Sequence, residues 1–252
     1  MLTFLPLHQF CFFFLLLVNS PRYPSSVFIF GDVSTGDFIP VGTCFAITSE
    51  LLLTCQHNMQ DRRLTDYAFA LTCERVNGVV TCAQGWFPAK VLKFNREMDY
   101  ALIESLDKKD LIPIPLSIGP VEGDLDVKVF HIPIDDFNDC VNDDQLSVHT
   151  LWIKSTLPSK HHMKCHGGLF AGSSGAPFVL RNGRVFGFYC ESINSKREAD
   201  IDGATLQEAV EILSDTVNSH AHNHASFCRA LLIGACPKFV KMLGEHGVEL
   251  YN

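Results

Sequence analysis

The sequence predicts an all-β domain, a sandwich or barrels, followed by a helical segment after residue 200. Two observations carry this. Short runs rich in Val, Ile, Phe and Leu recur from Ser25 to about Tyr189, separated by turn residues. Beyond residue 200 the apolar period changes from strand-like to helical.

The expected strands are Val27–Phe30, Val41–Ile47, Leu51–Cys55, Tyr67–Cys73, Val79–Cys82 and Val91–Phe94, then Ala101–Glu104, Val127–Ile132, His149–Ser155, Ala176–Leu180 and Val185–Tyr189. Asn77-Gly78 and Asn182-Gly183 mark two hairpins, because Asn-Gly supplies the positive φ angles of a two-residue turn. Later, Leu206, Ala209, Val210, Leu213 and Val217 share one helical face, and Thr205 with Glu208 reads as a capping box. Pro237 is placed to open a last short helix. Residues 191–203 are polar, and no closing strand is evident after Tyr189.

At 252 residues the chain can bury a sizeable core without a staple. The net charge of −8 argues against nucleic acid, whose binding rests on Lys and Arg neutralising phosphates. Phe10 to Val18 is an apolar run of signal-peptide length, too short to span a bilayer and without a positive n-region. Residues 1–24 are therefore read as a signal or anchor peptide of a secreted or membrane-associated protein, with a buried or misannotated N-terminus as the alternative.

The ten cysteines show no paired CxxC spacing, which speaks against structural zinc. Counting outward from Asn77-Gly78 sets Cys73 opposite Cys82 in a non-hydrogen-bonded pair, with Cα atoms about 4.5 Å apart. That spacing allows a disulfide. Two reduced thiols on one sheet face fit equally well, and the compartment decides. Other polar clusters count for little. His220, His222 and His224 read as a solvated linker; His161, His162, Cys165 and His166 match no established zinc spacing. Asp135, Asp136, Asp139, Asp143 and Asp144 lack the Gly and Glu positions of an EF-hand.

Three local contexts carry chemistry. Gly172-Ser173-Ser174-Gly175-Ala176-Pro177 surrounds a serine with small residues. These permit a tight turn that exposes Oγ and turns the N–H groups of Gly172 and Ser174 into one hole. Leu51-Leu52-Leu53-Thr54-Cys55-Gln56-His57 runs a buried strand into a histidine. Asp99-Tyr100-Ala101-Leu102-Ile103 opens an apolar strand with an aspartate. A serine hydroxyl is a poor nucleophile until a base takes its proton and a third group orients that base, and these are the three residue types required.

In the order His, Asp, Ser these contexts resemble the trypsin-like (chymotrypsin-fold) serine peptidases. Gly42-Thr43-Cys44-Phe45-Ala46-Ile47, with the stretch ending at His57, resembles the family's first-barrel strand pair and His turn. Asp99-Tyr100-Ala101-Leu102 resembles its Asp-x-Ala-Leu element. Gly172 to Pro177 resembles its Gly-Asp/Asn-Ser-Gly-Gly-Pro. Val121-Glu122-Gly123-Asp124 leading to Val127–Pro133, and Ser174 through Gly187, look nearer the Deg/HtrA-type branch than digestive trypsins. The likeness covers roughly residues 25–190 and implies two six-stranded barrels, in a domain taken as 25–200, with 201–252 as a helical extension.

The resemblance implies His57 as general base, Asp99 as its orienting partner, Ser174 as nucleophile, and Gly172 and Ser174 as oxyanion donors. The reaction would be hydrolysis of a peptide or protein substrate, without metal or cofactor. It also implies a substrate pocket floored by Gly168 and walled by Gly187, Phe188 and Tyr189, favouring small or medium apolar side chains. Ser173 stands where digestive members carry an aspartate that pairs with a freshly cut N-terminus, so activation by that ion pair is not expected. A catalytically silent fold used for binding is the alternative; a cysteine-type relative is disfavoured by Ser174.

Overall fold

Val27-Phe28-Ile29-Phe30 is a continuous apolar run because both of its faces are covered. Alternate side chains of a strand point to opposite sides, and here Phe28 and Phe30 enter one core while Val27 and Ile29 enter two others. This pattern follows from a sheet closed on itself, with a filled interior and a packed exterior. The computed structural model describes residues 23–59, 63–76, 79–82, 84–121, 126–132, 134, 145–158, 162–166, 172–193 and 227–252. Residues 1–22 of the proposed leader, the helix over 205–217, the acidic stretch 135–144, the histidines at 220–224, His161 and Gly168 lie outside them.

The first barrel contains β1 (Val27–Asp32), β2 (Ile39–Ala46), β3 (Leu51–Thr54), β4 (Tyr67–Ala70), β7 (Phe87–Asn95) and β8 (Tyr100–Ser105), closed in the order β1-β2-β3-β8-β7-β4. Between β4 and β7, β5 (Cys73–Val76) and β6 (Val79–Thr81) form the hairpin expected around residues 77 and 78. The run Tyr67–Cys73 is thus two strands rather than one. The interior is aromatic: Phe28 meets Phe69 edge-on at 5.1 Å and Phe30 stacks on Tyr67 at 5.3 Å. Each fully buried side chain of this size contributes about 1.5–3 kcal/mol.

The second half contains β9 (Leu116–Ser117), β10 (Asp126–His131), β11 (Gln145–Leu146), β12 (His149–Pro158), β13 (His162–His166), β14 (Pro177–Val179) and β15 (Val185–Ile193). The Asn182-Gly183 hairpin joins β14 to β15, with Gly183 at φ 83° and its N–H donating to the Leu180 carbonyl at 2.9 Å.

The absence of a closing strand is corrected by β16 (Phe227–Leu232), which pairs with both β13 and β15. The order β14-β10-β12-β13-β16-β15, with β15 returning to pair β14, closes a second ring of six antiparallel strands. The segment after 200 is therefore helical only in part among the described residues. Its helix, α1 (Pro237–Glu245), starts on Pro237 as expected and buries Phe239, Met242 and Leu243 on one face. It ends where Gly247 takes φ 72°. A last short strand, β17 (Leu250–Tyr251), lies parallel to β9.

One core joins the halves. Val27, Phe45, Leu53 and Leu102 of the first barrel, Phe130, Val185, Phe188 and Leu231 of the second, and Phe239 and Leu243 of α1 belong to a single apolar cluster. The barrels are thereby held at a fixed distance, and the loops between them can form a site.

Candidate active site

His57 sits in a short 3-10 turn, Gln56–Met59, where β3 ends. Its Nδ1 lies 2.8 Å from Asp99 Oδ2, and its backbone N–H donates to Asp99 Oδ1 at 3.0 Å. One carboxylate thus fixes both the ring and the backbone that carries it. Asp99 reaches this position from the turn before β8 at φ 53°, the one non-glycine residue with positive φ among those described. That conformation is costly for most side chains and tolerated best by Asp and Asn.

Ser174 comes from the loop between β13 and β14. Three hydrogen-bond donors of the first barrel grip that loop. The Ser174 carbonyl accepts from the Thr43 N–H and from Asn58 Nδ2, each at 2.9 Å, and the Gly172 carbonyl accepts from Thr43 Oγ1 at 2.8 Å. Asn58 adjoins His57 and also donates to Thr54 Oγ1 at 3.0 Å. The residue after the histidine is therefore bonded to the serine itself. Gly175 has φ 93°, and a Cβ there would stand 2.0 Å from the Thr43 carbonyl oxygen. Backbone cannot yield to a methyl group, so only glycine permits this approach.

Sequence reasoning thus places His57, Asp99 and Ser174 on loops that meet. No hydrogen bond joins Ser174 Oγ to His57; Oγ donates instead to the Cys190 carbonyl at 3.3 Å. Gly172 has φ 89°, and a Cβ there would collide with Ile134 at 2.4 Å. Among the described residues, neither the Gly172 N–H nor the Ser174 N–H is engaged by a carbonyl.

Ser173 is fully buried and its hydroxyl lies 3.1 Å from His131 Nδ1, on β10. Burial, aided by His149 nearby, pulls the His131 pKa from 6.5 down to about 4. The ring is thus neutral at pH 7 and can pair with a hydroxyl. Sequence reasoning recognised the missing aspartate at Ser173 but not its partner, which lies on a separate strand and carries no local signal.

The expected pocket wall is corrected. Phe188 and Tyr189 are 0% and 3% exposed, and Phe188 packs on Phe45 and Phe239 in the shared core. A Cβ on Gly187 would strike the Leu231 carbonyl at 2.4 Å. These side chains are consumed in closing the barrel against β16. What their strand offers the site is backbone: the Tyr189 carbonyl accepts from Gly175 N–H at 2.8 Å.

Cys73 and Cys82 face each other as anticipated, with free thiols 3.3 Å apart. The thiol of Cys82 and then burial push Cys73 up, while the bond from Cys73 pulls Cys82 down. A second thiol pair was not anticipated. Cys55, two residues before His57, donates to the Tyr189 carbonyl at 3.0 Å and lies beside Cys190. Burial first, then the neighbouring Cys190, raises the Cys55 pKa.

Two closed six-stranded barrels with a His–Asp pair and a glycine-flanked serine at their junction define a trypsin-like peptidase. Residues 42–188 match the trypsin-like peptidase domain, more than half of the 252 residues, and the chain belongs to that family. No curated protein sequence matches it. Among solved structures, the active form of the Rv3671c protease from M. tuberculosis is similar in fold, with 16% identity and a TM-score of 0.56 over 94% of this chain and 88% of that one. The inactive form of the same protease gives 15% identity and a TM-score of 0.54 over 90% and 95%.

Proposed function

We propose that the protein is a serine endopeptidase acting through an acyl-enzyme, with His57, Asp99 and Ser174 as its triad. The observation that carries this reading is the pair of hydrogen bonds from His57 to the Asp99 carboxylate, on a turn whose next residue, Asn58, holds the serine backbone. A rotation of Ser174 about χ1 takes Oγ from the Cys190 carbonyl toward the imidazole. His57 then accepts the hydroxyl proton as Oγ attacks the scissile carbonyl. Asp99 keeps the other ring nitrogen protonated and stabilises the imidazolium. The N–H groups of Gly172 and Ser174 receive the oxyanion. His57 passes its proton to the leaving amine, and water releases the acyl group by the same steps.

The bond between Ser173 and His131 supports a serine loop formed in the intact chain, so reaction with an active-site titrant requires no prior cleavage. The proposed preference is for small or medium apolar side chains before the cut, because Gly168 supplies no carboxylate to pair with Lys or Arg. Dominant Lys/Arg cleavage lost in Glu191→Gln would overturn that preference.

The second reading is a silent fold that binds peptides. The bond of Ser174 Oγ to a carbonyl rather than to His57 favours it. A fluorophosphonate probe separates the two. The protease reading expects covalent labelling of the full chain, abolished in Ser174→Ala and in His57→Ala. A folded chain that never labels is the silent one.

A further inference from the structure

We propose that Cys55, Cys190 and Asp99 form a zinc site whose occupancy switches the peptidase off; the switching rests on the triad reading above, the site itself does not. The two Sγ atoms and a carboxylate oxygen all lie within 4.8 Å of one another. In tetrahedral zinc, with bonds of about 2.3 Å to sulfur and 2.0–2.2 Å to oxygen, ligand atoms stand roughly 3.5–3.8 Å apart. A contraction of about one ångström is enough to close the site.

The donors come from three places in the chain. Cys55 follows β3, Asp99 precedes β8, and Cys190 lies on β15 of the other barrel. Their convergence is a product of the fold, which is why no CxxC spacing announces it. Two thiolates and one carboxylate suit zinc rather than magnesium or calcium, which prefer oxygen alone. Three protein ligands leave a fourth position for water. Both thiols are buried, while the Asp99 side chain is 24% exposed and gives the ion a way in. Binding displaces one proton from each thiol to solvent.

The consequence for the triad follows from the bonds Asp99 already makes. Its Oδ2 holds His57 Nδ1 and its Oδ1 holds the His57 backbone. Zinc claims one of these oxygens and neutralises the carboxylate, so the imidazole loses its orientation and the partner for its positive charge. Removal of zinc restores both.

The test is titration of the full chain with Co²⁺, which reports thiolate ligation by sulfur-to-cobalt charge-transfer absorption. One equivalent should bind, and Zn²⁺ should displace it. Cys55→Ser and Cys190→Ser should each lose at least the roughly 10–100-fold in affinity that losing even a supporting partner costs. Asp99→Asn should weaken binding while the thiolate band survives. Zinc should inhibit peptide cleavage reversibly to chelator, with each variant normalised to its own metal-free rate and Cys190→Ser relieved. Absence of the band in wild type, or a band unchanged in Cys55→Ser/Cys190→Ser, would overturn the site. The cobalt readout needs no turnover, so its failure and that of the protease reading are separately visible.

Discussion

The ring of Phe239, on the C-terminal helix, stacks on Tyr100 with centroids 4.2 Å apart and planes 25° apart. Tyr100 is the residue after Asp99, so the helix presses on the segment that delivers the carboxylate to His57. Phe239 also meets Phe188 edge-on at 6.4 Å, on the strand whose next residues carry the Tyr189 and Cys190 carbonyls. Phe239→Ala should therefore destabilise by about 3–5 kcal/mol through the cavity it leaves. It should also lower turnover in the fraction that stays folded. Denaturant midpoints and serine-probe labelling rates measure the two effects. An unchanged labelling rate in folded Phe239→Ala would show that the helix supports the fold and not the site.

Asp99 offers a substitution that separates chemistry from conformation. At φ 53° it occupies a left-handed conformation that Asn also accepts. Asp99→Asn should thus keep the melting temperature close to that of the parent. It replaces an acceptor by a group that can present N–H to Nδ1 and favours the wrong tautomer. Turnover should fall about 10⁴-fold, as expected when an orienting carboxylate loses its charge. Loss of fold, or activity within an order of magnitude of the parent, would contradict this assignment.

His131 should set the acid limit of the fold. Its pKa is about 4 in the native protein, against an ordinary 6.5. Between those values the unfolded chain binds more protons than the folded one, so stability rises with pH. The contribution is fully present above about 6.5 and is lost as pH falls through about 4. The slope from this one group approaches about 1.4 kcal/mol per pH unit inside that window. His131→Gln should be less stable at pH 7 and should lose this slope. Chemical denaturation at several pH values measures it, and a parallel slope in the variant would assign acid sensitivity to other groups.

The parts of this fold that were legible in sequence are those encoded locally. The contexts of His57, Asp99 and Ser174 each occupy a few consecutive residues, and the Asn182-Gly183 turn fixes its own hairpin. What was not legible depends on partners distant in sequence. The strand β16 follows the stretch 194–226 and reads simply as a short apolar run; only pairing with β13 and β15 makes it a strand. Phe188 and Tyr189 read as an apolar pocket wall, and burial between barrel and helix shows them to be core. His131 and Cys190 have no neighbours in sequence that betray their roles.

The position of β16 has a consequence for synthesis. The first barrel is complete once residue 105 has been made, and contains the histidine and aspartate. The serine loop falls midway along the second ring, between β13 and β14, but the gap between β13 and β15 stays unfilled until residues 227–232 leave the ribosome. A nascent chain therefore carries all three polar residues well before it can hold them together. Chains stalled before residue 227 should show a protease-resistant first half and an unreactive serine. Strand order alone thus defers the closing of the second ring around the serine loop until β16 has been made.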